Sequence, residues 1–151
     1  MKPTVLYRIA SGLLIFFAVS HTVGLFSDAP TTEASAARAL MNSAHFKFMG
    51  ADCSYGQFYV GFGLLFTAYL LFSAYLALYL GNLAGKNPGA IGGLAWAFFM
   101  VQLASLALSW VYFFVAPVAV SALVAICLGW AALLVKRRKL DTASVRREDA
   151  T

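Results

Sequence analysis

Charge is what this sequence has least of. Asp, Glu, Lys and Arg make up 11% of its 151 residues, against about 25% in a soluble domain, so there is no polar coat to spread over a globule. No charged side chain falls within residues 9–27, 53–85 or 87–135. Proton-coupled transport and intramembrane acid chemistry need ionisable groups at depth, and their absence speaks against an antiporter, a proton channel or a membrane carboxylate enzyme. Cysteine is scarce as well: Cys53 and Cys127 are the only 2. Placed on the spans given below, they differ in depth by about 15 Å, too far for a bridge. No Cys-x-x-Cys, phosphate-cradling glycine loop, nucleophile elbow or His-Glu-x-x-His is present, so no catalytic residue is assigned.

What fills the chain is apolar. Hydrophobic residues make up 62%, with a mean hydropathy of +0.79. Four runs reach the roughly 20 residues that a transmembrane helix needs, over about 6–26, 57–80, 90–115 and 117–135. They predict an all-α membrane protein, a left-handed four-transmembrane-helix bundle forming a single domain over 1–135. A basic, mobile tail follows over 136–151. Lys2, Arg8, Lys86 and the KRRK stretch at 136–139 lie on one side of this plan, and the acidic connection 27–56 on the other. The bias of Lys and Arg toward the cytoplasm puts both termini inside. The expected location is a bacterial inner membrane, multi-pass. Its partners are the bilayer, anionic headgroups that meet the inner basic residues, and a membrane protein or second copy; nucleic acid is not among them. Tyr7, Tyr79, Trp96 and Trp130 form an inner aromatic belt on this plan, and Tyr55, Tyr59, Trp110 and Tyr112 an outer one.

Within the long connection, Thr31 reads as a helix cap with Glu33 in the first turn. Ala37, Met41, Ala44 and Phe48 recur at helical spacing, predicting a short extracytoplasmic amphipathic helix on the outer interface. Gly89 and Gly93, Ser105 and Ser109, and Ser121, Ala125 and Gly129 are small residues four apart. They predict close contact between the last two helices, joined at Ala116–Pro117.

Polar residues gather near one depth. His21 lies about 8 Å inside the outer end of the first span, level with Gln57, Tyr59, Ser109 and Tyr112. These five are the candidate ligand-binding residues of a non-catalytic protein that takes a hydrophobic small molecule, lipid or membrane partner near its outer face. On this reading no cofactor is needed. A plain helix-to-helix hydrogen bond from His21 to Tyr59 or Ser109 is the structural counterpart. Other readings stay open. Met41, His45 and Met49 share a helical face suited to copper(I), and His21 with His45 offers imidazoles for haem, so a redox protein is an alternative. An accessory subunit of a larger membrane complex is another. Ala18-Val19-Ser20 also resembles a signal-peptide cleavage site, which would leave His21 as the amino terminus.

The segments HTVG (21–24), YGQFYVGFGL (55–64) and SWVYFFVAP (109–117) together resemble a group of small uncharacterised bacterial four-helix integral membrane proteins. Those carry His-Thr-x-Gly near the end of helix 1, Phe-Tyr-x-Gly-Phe-Gly at the start of helix 2, and Trp-x-Tyr-Phe-Phe-x-x-Pro at the helix 3–4 turn. The resemblance runs over about residues 8–135. It implies the four-helix fold and no particular activity, and it favours His21, Tyr59 and Tyr112 over His45.

Overall fold

The computed structural model describes residues 2–148, with side chains through residue 140. Its elements are α1 (Pro3–Phe26), α2 (Thr32–Ser43), β1 (His45–Phe48), β2 (Ala51–Ser54), α3 (Tyr55–Lys86), a single 3-10 turn at Pro88–Ile91, α4 (Gly92–Tyr112) and α5 (Val115–Glu148). Four of the helices are long and apolar enough to cross a membrane: α1, α3, α4 together with the 3-10 turn, and α5 through Leu140. Large apolar side chains along all four are exposed. A surface of that extent is unsustainable in water and natural against lipid tails, and the chain is read as a membrane-spanning protein.

The expectation of an all-α chain needs one correction. The helix expected to carry Ala44 and Phe48 stops at Ser43, and an antiparallel hairpin pairs His45 with Ser54, Phe46 with Cys53, Lys47 with Asp52 and Phe48 with Ala51. Met49 and Gly50 turn the hairpin with φ of 48° and 87°, both positive, as a two-residue turn that matches strand twist requires. The start of α2 is as expected. Thr31 is the cap and accepts from the Ala34 N–H at 3.2 Å. Hydrogen bonds from its own main-chain N–H and the Thr31 hydroxyl hold the Glu33 carboxyl below its ordinary value. That contribution is present above the ordinary carboxylate range and lost as the pH falls through the lowered value.

The last turn also differs. The break falls at Phe113–Phe114, not at Ala116–Pro117. Pro117 lies in the first turn of α5, where backbone N–H groups have no intrahelical partner and a missing one costs nothing. Past residue 135, α5 runs on as helix to Glu148 and carries Lys136, Arg137, Arg138 and Lys139 exposed. The last three residues of the tail expected over 136–151 lie outside the described residues.

The chain forms two compact units, and α1 and α3 contribute to both. One comprises Met1–Phe17 and Leu71–Thr151. Its interior is built from small residues and close approaches. The Phe99 ring lies where a side chain on Gly129 would be, with Cε2 2.8 Å from that Cβ position. Ser109 and Ser121 meet at 3.5 Å, both buried. Ser11 donates to the Ala74 carbonyl at 2.9 Å, and Gln102 donates to Ser73 at 3.4 Å. Of the expected small-residue stripes, Ser109, Ser121, Ala125 and Gly129 take part in this packing. Gly93 has nothing near its Cβ position.

Tyr7 was expected in the inner aromatic belt and is instead wholly buried, at 0% exposure, beside Gly81, whose missing side chain makes room for it. Among the described residues its hydroxyl is the only buried side-chain N or O atom without a hydrogen bond. Burying an unpaired hydroxyl costs about 1–3 kcal/mol. Tyr7→Phe should therefore leave thermal stability in detergent unchanged or raise it, and a clear fall in Tm would contradict the packing described.

The other unit, Ala18–Leu70, holds the C-terminal part of α1, α2, the hairpin and the first half of α3. Phe46 of the hairpin packs on Tyr55 (ring centroids 4.9 Å) and Phe58 (5.9 Å), and Phe58 on Phe62 (4.6 Å). Arg38 of α2 donates to the Ser27 carbonyl just beyond α1 at 2.8 Å. These contacts tie the connection to the helix ends it joins.

Candidate functional site

His21 is held by the backbone. Its Nε2 lies 3.1 Å from the Gly63 carbonyl of α3, and its ring stands edge-on to Phe66, with centroids 5.0 Å apart. The approach depends on glycine, since a Cβ at Gly63 would fall 2.7 Å from a methyl of Leu25. The expected partners, Tyr59 or Ser109, are not the ones bonded. A backbone carbonyl of a membrane helix is a partner that no side-chain pattern announces.

At Thr22, the next residue of α1, proton counting orients a second contact. The Thr22 hydroxyl lies 2.8 Å from the Ala18 carbonyl and 3.0 Å from the Thr67 hydroxyl, which lies 3.2 Å from the Gly63 carbonyl. Each hydroxyl has one proton to give. With Thr22 donating to Ala18, Thr67 is the donor to Thr22, and His21 serves the Gly63 carbonyl. The α1–α3 seam in this unit is thus a set of satisfied hydrogen bonds of the kind that joins helices in lipid.

Gln57 has a different occupation. Its side-chain oxygen accepts from the Ser54 N–H at 3.0 Å, and the Ser54 hydroxyl accepts from the Gln57 N–H at 3.1 Å. This reciprocal pair is a capping box at the start of α3. Tyr59 is exposed, at 57%. Ser109 and Tyr112 belong to the other unit, where Ser109 pairs with Ser121 and Tyr112 ends α4 exposed.

The metal candidates Met41, His45 and Met49 are not on one helical face. Met41 is on α2, His45 opens β1, and Met49 is in the hairpin turn at 92% exposure. The His45 Nδ1 lies 3.0 Å from the Asp52 carboxylate, both side chains more than half exposed. Among the described residues no group of three or more His, Cys, Asp or Glu is placed to hold a metal ion.

A further feature lies between α4 and α5, beside the turn that joins them. Leu103, Leu106, Ala107 and Trp110 of α4, with Val118 and Ala122 of α5, line an open groove of about 400 Å³. Every lining side chain is apolar. Ala107 and Ala122 leave the space, and Trp110, 77% exposed, forms a broad wall. None of the six is a candidate on the polarity of the sequence, since all are apolar. The available hint was small residues alternating with a large aromatic near a helix turn.

Compared with models of protein families, with curated proteins and with solved structures, the chain matches none.

Proposed function

We propose that this chain is a non-catalytic, multi-pass inner-membrane protein that binds a hydrophobic molecule, with the α4–α5 groove as the binding surface. The observation that carries this reading is the groove itself, with its wholly apolar lining and its aromatic wall. Such a lining gives dispersion contacts to an alkyl or isoprenoid chain and offers nothing to a polar substrate. Lipid tails are as apolar as the lining, so selectivity arises from shape and contact and not from transfer out of water. An occupant enters sideways from the bilayer.

The turn between α4 and α5 supports the placement. Trp110, Tyr112, Phe113 and Phe114 are all exposed there, and aromatic rings favour the headgroup level. On this reading the turn sits at the outer interface. The exposed basic run 136–139 meets anionic headgroups at the inner face, at about 1 kcal/mol per charge.

Native mass spectrometry of purified protein tests the reading. A hydrophobe or lipid that survives detergent exchange on the wild type and is lost from a groove-filled variant supports it. Equal retention by the two contradicts it.

A further inference from the structure

The β1–β2 hairpin has two unlike faces. Side chains alternate across a strand. The register pairs Phe46 with Cys53, Lys47 with Asp52 and Phe48 with Ala51. Phe46, Phe48, Ala51 and Cys53 therefore share one face, and His45, Lys47 and Asp52 the other. The polar face is satisfied within the hairpin: His45 meets Asp52 at 3.0 Å, and Lys47 stands opposite Asp52. The apolar face is only partly used. Phe46 is half-buried against Tyr55 and Phe58, whereas Phe48 is 66% exposed and Met49, in the turn beyond it, 92%.

A two-stranded hairpin is marginal in water by itself and needs a surface against its apolar face. The ring contacts indicate which surface. Phe46 packs on Phe58 with centroids 5.9 Å apart, and Phe58 on Phe62 with 4.6 Å. Phe62 lies one turn further into α3, about 6 Å by helix rise. Both Phe58 and Phe62 are exposed, on a helix long and apolar enough to cross a membrane. The apolar face of the hairpin is thus continuous with the lipid-facing surface of a spanning helix, and all these residues belong to one compact unit.

We propose that the hairpin lies on the bilayer, in the leaflet at the N-terminal end of α3. Phe48 and Met49 insert at the headgroup–acyl boundary, and His45, Lys47 and Asp52 turn to water. The partner is the lipid surface itself, and recognition is by apolar insertion. Lys47 and Asp52 lie across from each other with opposite charges, so they offset and do not select anionic headgroups. The proposal rests on the chain spanning a membrane and uses none of the groove residues.

Spin-label EPR of the full chain in phosphatidylcholine vesicles tests it. Cys53→Ser and Cys127→Ala remove the native thiols, and single labels are attached through Lys47→Cys, Phe48→Cys or Met49→Cys. Collisions with oxygen, which concentrates in lipid, are compared with collisions with a water-soluble nickel chelate. Labels at 48 and 49 should be open to oxygen and shielded from nickel, at the depth of about 5–10 Å to which amphipathic segments settle. The label at 47 should be open to nickel. Adding phosphatidylglycerol should leave these depths unchanged. Nickel access at 48 and 49 equal to that at 47 would put the tip in water and overturn the proposal. Shielding from both reagents would mean that protein covers the tip, a second copy if the labels also broaden one another's spectra, and would overturn it too. Insertion only with phosphatidylglycerol present would overturn its apolar basis. Met49 is almost fully exposed, so its label displaces no packing and reports even if the Phe48 variant fails to fold.

Discussion

Ala122→Phe should reduce the hydrophobe retained by the purified protein about tenfold, the equivalent of 1.4 kcal/mol. Ala122 is half-buried on α5 and forms part of the groove floor. A phenyl ring at this position fills space opposite Trp110 and takes the contacts that a bound chain would make. Each atom pair contributes only about 0.1–0.2 kcal/mol, but a displaced chain loses many at once. The loss stays moderate because the displaced chain regains similar contacts in bulk lipid or detergent. Leu123→Phe is the matched control. Leu123 is the next residue of the same helix, is exposed and does not line the groove, so its replacement should leave retention at the wild-type level. If both variants behave alike, the change in retention reflects added surface apolarity and not the groove.

The second large effect is on stability. Gly129→Val should destabilise the protein by about 1–3 kcal/mol, the usual cost of forcing extra carbons into a packed site. The Cβ position at Gly129 is 2.8 Å from Phe99 Cε2, 3.2 Å from Cδ2 and 3.3 Å from Cζ. A ring presents its edge as one rigid body, and this one is backed by Trp96 with centroids 5.8 Å apart. The strain must therefore separate α4 from α5 in place of a simple side-chain rotation. Gly61→Ala is the contrast, because nothing lies within 4 Å of its Cβ position. There the gain in helix propensity, up to about 1 kcal/mol, is unopposed. Unfolding titrations in mixed micelles should show a lower midpoint for the Gly129 variant and an unchanged or higher one for the Gly61 variant. Equal midpoints would mean that the small residue is not what lets the helices close.

Much of the fold was legible because lipid imposes a simple rule: backbone polar groups must be paired within a segment, so long apolar runs become helices. The Thr31 cap and the contact residues Ser109, Ser121, Ala125 and Gly129 followed from local pattern. The hairpin did not. Its turn uses Met49 before Gly50, where Asn or Asp is the usual sign, and Met49 also completed a tempting helical stripe. Two signals were there to be read: the alternation in His45-Phe46-Lys47-Phe48, and the opposite charges of Lys47 and Asp52, which the register places across from each other.

Single residues were harder to place than elements. Gln57 suggests ligand chemistry by its polarity alone, although Ser54-x-x-Gln57 is the spacing of a capping box. Tyr7 has the composition of an interface anchor, and only the gap at Gly81 shows why it is buried. The His21 contact depends on a backbone carbonyl. The groove depends on how α4 and α5 rotate about their axes, which six apolar side chains drawn from two helices do not disclose one at a time.

Whether the α4–α5 groove holds a guest can be read from the fluorescence of Trp110, which walls it. A variant with Trp96→Phe and Trp130→Phe retains Trp110 as its single tryptophan and can be reconstituted in phosphatidylcholine vesicles. Lipid with brominated acyl chains is then added in increasing proportion. Quenching should saturate at a low mole fraction of brominated lipid, reverse with unbrominated competitor and weaken when Ala122→Phe is added. Quenching that simply tracks the mole fraction of brominated lipid, with Ala122→Phe making no difference, would show that Trp110 faces ordinary bilayer and that the groove holds no guest.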